Sequence, residues 1–174
     1  IDLARWNGLM AGVAAMDAAL NNGLCSAEGL QEALERLPET AGGGPRARQA
    51  VRLADGRSES PGESMSRVRM WEHRLPKPEL QVSVRVGSEL YILDFYWLDH
   101  GVAGEFDGRV KYRSASFGQD PEEVVWREKL REDALRASGL TVARWTWAQA
   151  WGDAGAQMLR RLSAAGVRPT GRRW

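Results

Sequence analysis

The stretch Tyr91 to Lys111, YILDFYWLDHGVAGEFDGRVK, decides how the rest of this chain is read. Leu90 to Trp97 is rich in Tyr, Ile, Phe and Trp, side chains that suit a pleated, half-buried surface, and is predicted to be a strand. Alternation along that strand sets Asp94 on the side of Ile92 and Tyr96, an unfavourable place for a charge. Asp99, His100 and Gly101 supply a turn, and Val102 to Asp107 returns as a neighbouring antiparallel strand. Spacing by two puts Glu105 and Asp107 on one face and Phe106 on the other. In the register that brings Asp94 beside Glu105, three carboxylates converge. Like charges that close raise one another's pKa and resist joint ionisation. A divalent cation removes the conflict, and hard oxygen donors suit Mg²⁺ or Mn²⁺, with water and substrate phosphate completing the shell. Gly108 ends the strand, which leaves Lys111 able to reach back as a cation toward a phosphate or an attacking water.

Asp94 followed by Glu105-Phe106-Asp107-Gly108 resembles the active-site core of the PD-(D/E)XK nuclease superfamily. The likeness is specifically to its very-short-patch-repair-like (Vsr-like) endonuclease domains, which in actinobacterial proteins often follow a winged-helix segment of the AbiEi antitoxin type. It extends, in family order, to Ser60-Pro61-Gly62-Glu63-Ser64 before a helix, to Leu75 to Glu79 leading into Gln81, to Glu128 to Asp133, and to Arg144 to Trp147. Such a resemblance implies an α/β (α+β) fold, with a restriction-endonuclease-like αβββαβ core on a mixed sheet over residues 58–166. A small helical extension over residues 1–57 would precede that core and a basic tail over 167–174 would follow it. The resemblance further implies a Mg²⁺- or Mn²⁺-dependent endodeoxyribonuclease in the cytoplasm. Asp94, Glu105 and Asp107 would hold the metal, Lys111 would orient water or neutralise phosphate, and Glu63 would complete the outer shell. Gln81, Arg109, Lys129 and Arg131 would face the DNA. The chain departs from the textual D…(D/E)xK pattern, which needs Lys at 107, where Asp stands. Related domains more often read E-x-D-G-x-x-H, so Lys111 occupies a place where His is common. The start at Ile1-Asp2-Leu3, without Met, is expected of a fragment from which an upstream winged-helix module is missing.

Composition adds less. The chain has 174 residues, enough for one good core and a small helical extension, and a net charge of +1. All but three of its 24 cations are Arg, the exceptions being Lys77, Lys111 and Lys129. Arginine favours bidentate contact with phosphate, yet a GC-rich genome produces the same bias, and overall charge does not by itself point to DNA. A single cysteine, Cys25, rules out an intramolecular disulfide and a multi-Cys zinc site and agrees with a reducing cytosol. No apolar run has the length to span a bilayer, so no membrane partner is expected. His73 and His100 lack metal-ligand spacing, and the chain has no phosphate-cradling GxxxxGK[ST], dinucleotide fingerprint or G-x-S-x-G elbow.

Outward from the central stretch, Trp6, Leu9, Met10, Val13, Met16 and Leu20 recur at three and four and predict one helix over residues 3–20, stopped at Asn21 to Gly23. Ser26 is placed to cap a second helix to Leu37, and Pro45 to start a third to Ala54. Gly62 to Arg74 reads as helix, with Glu63 in its first turn where the helix dipole favours a carboxylate. Gln81 to Val86 alternates as a strand, and Pro121 to Ala137 has Pro at its start, acids in its first turn and Gly139 after its end. Within it, Glu128 to Asp133 reads as a solvated charged run, from which Lys129 and Asp133 are the residues weighed for a turn toward the site. Leu140 to Thr146 is a further strand, parallel to a core neighbour, and Ala148 to Ala164 a final helix. Trp145, Trp147 and Trp151 read as core, and Arg168 to Trp174 as a tail that is disordered or touches a nucleic-acid backbone. The competing function on the same fold is a non-cleaving DNA-binding regulator or antitoxin-associated domain.

Overall fold

Up to Glu72 helical periodicity dominates, and the described residues there form the helices α1 (Asp2–Asn7), α2 (Leu9–Asn21), α3 (Ala27–Glu35), α4 (Gly44–Leu53) and α5 (Pro61–Glu72). The computed structural model describes residues 1–38, 40, 42–108 and 121–174. These divide into two units, Ile1–Glu72 and His73–Trp174. The expected single helix over 3–20 is cut at Gly8, whose φ of 105° lies where a side chain is strained. The cut lets α1 fold back on α2 so closely that a Cβ on Gly12 would overlap Ala4. Ser26 caps α3 as expected, its Oγ accepting the Gly29 N–H at 3.1 Å. Val13, Met16, Ala47, Ala50, Leu53, Met65 and Val68 form the apolar interior of this unit.

Within that interior lies a polar knot. Arg67 on α5 donates to Asp17 on α2 at 2.6 Å, to the Leu53 carbonyl at 2.8 Å and to Ser58 Oγ at 3.1 Å. Asp17 also accepts the Asp55 N–H at 2.7 Å. Both charged side chains are almost wholly buried, at 3% and 1% exposure. Through this knot α5 is tied to the helices before it, and the boundary between units falls at its far end rather than before it.

The second unit is built on β1 (Glu79–Val86), β2 (Glu89–Trp97), β3 (Val102–Asp107) and β4 (Thr141–Thr146), with α6 (Pro121–Ala137), α7 (Trp147–Trp151) and α8 (Ala156–Ala164). Its sheet has the order β1-β2-β3-β4. The first two pairings are antiparallel, joined by short turns at Gly87 (φ 61°) and at Gly101 (φ 59°), whose N–H closes on the Leu98 carbonyl. β4 runs parallel to β3, with α6 in the connection, as a parallel pair requires. The result is a mixed α+β fold.

One side of the sheet packs Leu93, Ala103 and Val142 against Leu135 of α6, with Tyr91, Tyr96 and Leu140 around them. Elsewhere in the unit Phe95 lies 5.4 Å from the Trp145 ring and 6.4 Å from that of Trp97. Gly104 makes room for these rings, since a Cβ there would come within 2.8 Å of Trp145 and 3.0 Å of Trp97.

The C-terminal expectations need correction. The final helix is broken, because Asp153 and Ala154 are left-handed (φ 49° and 48°), and α8 starts only at Ala156. Trp145 is core, but Trp147 and Trp151 are 38% and 61% exposed on α7. The last residues are tied down: Thr170 donates its N–H to the Arg74 carbonyl at 2.8 Å, and Trp174 Nε1 donates to that of Leu75 at 3.0 Å. Lys77 Nζ lies 5.6 Å from the Trp174 ring centre. Among the described residues no helix is long and apolar enough to cross a membrane.

Candidate functional site

β2 and β3 pair from Trp97↔Val102 to Phe95↔Gly104. Continued by one residue, that register sets Asp94 opposite Glu105. On the other edge of β2 the pairing runs through Leu80↔Phe95 and Val82↔Leu93 but skips Gln81, which would face Asp94 and has φ 52°. That left-handed backbone is strained for a residue with a side chain. Alternation along β2 changes at Asp94, since Leu93 and Tyr96 share one apolar cluster while Phe95 stacks with Trp97 and Trp145. At the break Asp94 extends its carboxylate to β3, where Oδ2 accepts the Phe106 N–H at 2.8 Å.

Glu105 is 7% exposed. Arg131 of α6 grips it with both prongs, Nη1 to Oε2 and Nη2 to Oε1, each at 3.0 Å, and Nη2 also donates to the Ile92 carbonyl at 2.7 Å. Burial is the largest influence on Glu105 and pushes its pKa up to about 7, with Arg131 and Arg144 opposing the rise and the charge of Asp94 adding to it. Arg144 pairs in register with Glu105 from β4 and donates to Glu128 Oε2 at 3.0 Å, with its Nε 3.4 Å from Glu132 Oε2. Burial disfavours its charge, but Glu128, Glu132 and Glu105 outweigh that and hold its pKa above the ordinary arginine value.

The charged run on α6 is therefore split between two faces. Glu128, Arg131 and Glu132 turn toward the sheet, on the stripe that continues one turn later in fully buried Leu135. Lys129 is exposed, with its Nζ 5.8 Å from the Trp126 ring centre, and Asp133 is exposed as well. The spacing 128, 131, 132, 135 was the available signal: it is a half-buried stripe that ends in buried Leu135, the one apolar residue of the four.

The remaining candidates are scattered more widely. Asp107 ends β3, half-buried and in register with Thr146. Glu63 belongs to the first unit, where its carboxylate accepts the Glu59 N–H at 2.9 Å and the Ser60 hydroxyl at 2.7 Å, and Ser60 Oγ accepts the Glu63 N–H at 3.2 Å. That reciprocal cap is the role the helix terminus alone predicts. Arg109, Lys111 and residues 112–118, which the sequence suggests as an irregular segment near substrate, lie outside the described residues. Among the described residues no three His, Cys, Asp or Glu side chains are grouped to hold a metal ion. Asp94 and Glu105 stand as a neighbouring pair, and Arg131 holds the second of them.

No family profile matches the chain, and no solved structure does. Among curated proteins it is similar to two uncharacterized proteins of Mycobacterium tuberculosis, from two strains, each 34% identical over 145 residues. The aligned region covers 82% of this chain and 50% of each relative, so the chain spans about half the length of the curated relatives it matches.

Proposed function

We propose that the chain carries a metal-dependent DNA endonuclease of the PD-(D/E)XK type, with a restriction-endonuclease-like core. The observation that carries this reading is the closeness of Asp94 to Glu105, which the β2–β3 register continued by one residue sets opposite each other, with Glu105 buried, the charge of Asp94 acting on it and its pKa pushed up to about 7. A carboxylate so placed calls for a cation. The donors fit Mg²⁺ or Mn²⁺, since such ions are commonly held by one or two carboxylates, with water and substrate phosphate filling the other positions. Two antiparallel pairings followed by a parallel β4 also agree with the strand pattern that the resemblance implies.

A cation held by Asp94 and Glu105 supplies a bound water of lowered pKa and neutralises charge on the phosphoryl oxygens. The chain's own groups do the rest. The Phe106 N–H fixes the orientation of Asp94. Glu128 and Glu132 hold Arg144 beside the pair, and Arg131 and Arg144 give the site a positive potential toward a phosphodiester. Asp107 and Lys111 keep the roles the resemblance implies.

A second reading has its own observation. Both oxygens of Glu105 are already satisfied by Arg131, as befits a domain that binds DNA without cutting it. Incubation of supercoiled plasmid with the protein in Mg²⁺, Mn²⁺ or EDTA separates the two. The nuclease reading expects nicked or linear product with either metal and none in EDTA. A DNA gel shift that persists in EDTA, with no scission under any metal, would establish the regulator instead.

A further inference from the structure

We propose that Arg131 is a built-in counter-cation for Glu105, which it holds while no metal is bound and must yield when a divalent ion arrives. The inference rests on the metal reading above and concerns how that site is controlled. Its basis is geometric. The guanidinium takes both Glu105 oxygens at 3.0 Å and anchors a third bond, at 2.7 Å, on the Ile92 carbonyl, two residues before Asp94. Arg131 thus occupies both of the Glu105 oxygens that a cation would need.

The neighbouring charges explain why Arg131, and not Arg144, has this role. Arg144 is engaged by Glu128 at 3.0 Å and by Glu132 at 3.4 Å. Arg131 lies 3.9 Å from Glu128, too far for a hydrogen bond, and its two short carboxylate bonds both go to Glu105. It is also only 22% exposed, so its charge is poorly screened by water. A buried carboxylate left without any cation is strongly unfavourable, and the fork offsets part of that cost in the metal-free protein. The same fork disfavours metal twice, by covering the oxygens and by repelling a like charge. Arg131 is accordingly a positioning residue for the site, and it sets the metal affinity.

Mn²⁺ titration followed by electron paramagnetic resonance tests this on the full chain without substrate. Arg131→Gln is expected to bind Mn²⁺ at least about tenfold more tightly than wild type, because one nearby positive charge is gone. Its melting temperature without metal should fall, and Mn²⁺ should restore more of it than in wild type. Arg131→Lys keeps the charge but cannot hold both oxygens, so it should lie between the two and covers the case in which the Gln variant fails to fold. Wild type that binds Mn²⁺, with Gln and Lys variants that bind equally or more weakly, would overturn the latch and leave the metal reading standing. Absence of Mn²⁺ binding in all three proteins would sink the metal reading and the latch with it.

Discussion

Glu105→Gln is expected to abolish metal-dependent cleavage, with a loss of at least about a thousandfold, while flattening the pH dependence of stability. On the proposed assignment Glu105 is one of two anionic ligands, and an amide oxygen is a far weaker donor to a hard cation. Asp94→Asn should cost as much for the same reason. The stability effect has a definite sign. Burial raises the pKa of Glu105 from an ordinary 4.5 to about 7, so the folded state holds its proton through a range where the unfolded state has lost it. Its contribution to stability is therefore fully present below about 4.5 and is lost as pH rises to about 7, by something on the order of 3 kcal/mol. Urea unfolding of wild type and Glu105→Gln at pH 5 and pH 8 checks this. The Gln variant should show a smaller fall in stability between the two; equal falls would mean that Glu105 ionises normally.

The second large effect lies in the other unit. Arg67→Ala leaves the Asp17 carboxylate buried without its cation and strips donors from the Leu53 carbonyl and Ser58. Breaking a buried pair from one side costs about 3–5 kcal/mol, a large share of the stability of a small helical unit. Circular dichroism should show the helices of Ile1–Glu72 melting at lower urea in Arg67→Ala. Replacing both partners by apolar residues, as in Asp17→Leu with Arg67→Met, should recover much of the loss, since no orphan charge remains. A single variant that loses less than about 1 kcal/mol would show that water, not Arg67, compensates Asp17.

These residues also mark where reading the chain succeeds and where it stops. Val102–Asp107 and Pro121–Ala137 have the limits expected of them, because Gly101 and Gly108 punctuate the strand and Pro121 and Gly139 the helix. Asp94 and Glu105 were legible as neighbours because a short turn leaves little freedom of register. The break at Asp94 was not, and neither was the left-handed Gln81 on the neighbouring strand, since nothing local marks a glutamine for that backbone. The Arg131–Glu105 and Asp17–Arg67 pairs join positions 26 and 50 residues apart. Periodicity identifies a buried face but does not say which distant charge will be found on it. The same gap misplaced Trp147 and Trp151, which lie exposed on the short α7 that ends before the left-handed turn at Asp153 and Ala154.

A crystal soaked in Mn²⁺ and measured for anomalous scattering tests the central claim most directly. The account predicts one strong peak about 2.1 Å from an oxygen of Asp94 and from an oxygen of Glu105, with Arg131 turned away from the latter. A Glu105 still gripped by both prongs of Arg131, with Mn²⁺ absent from the pair or bound elsewhere, would contradict it.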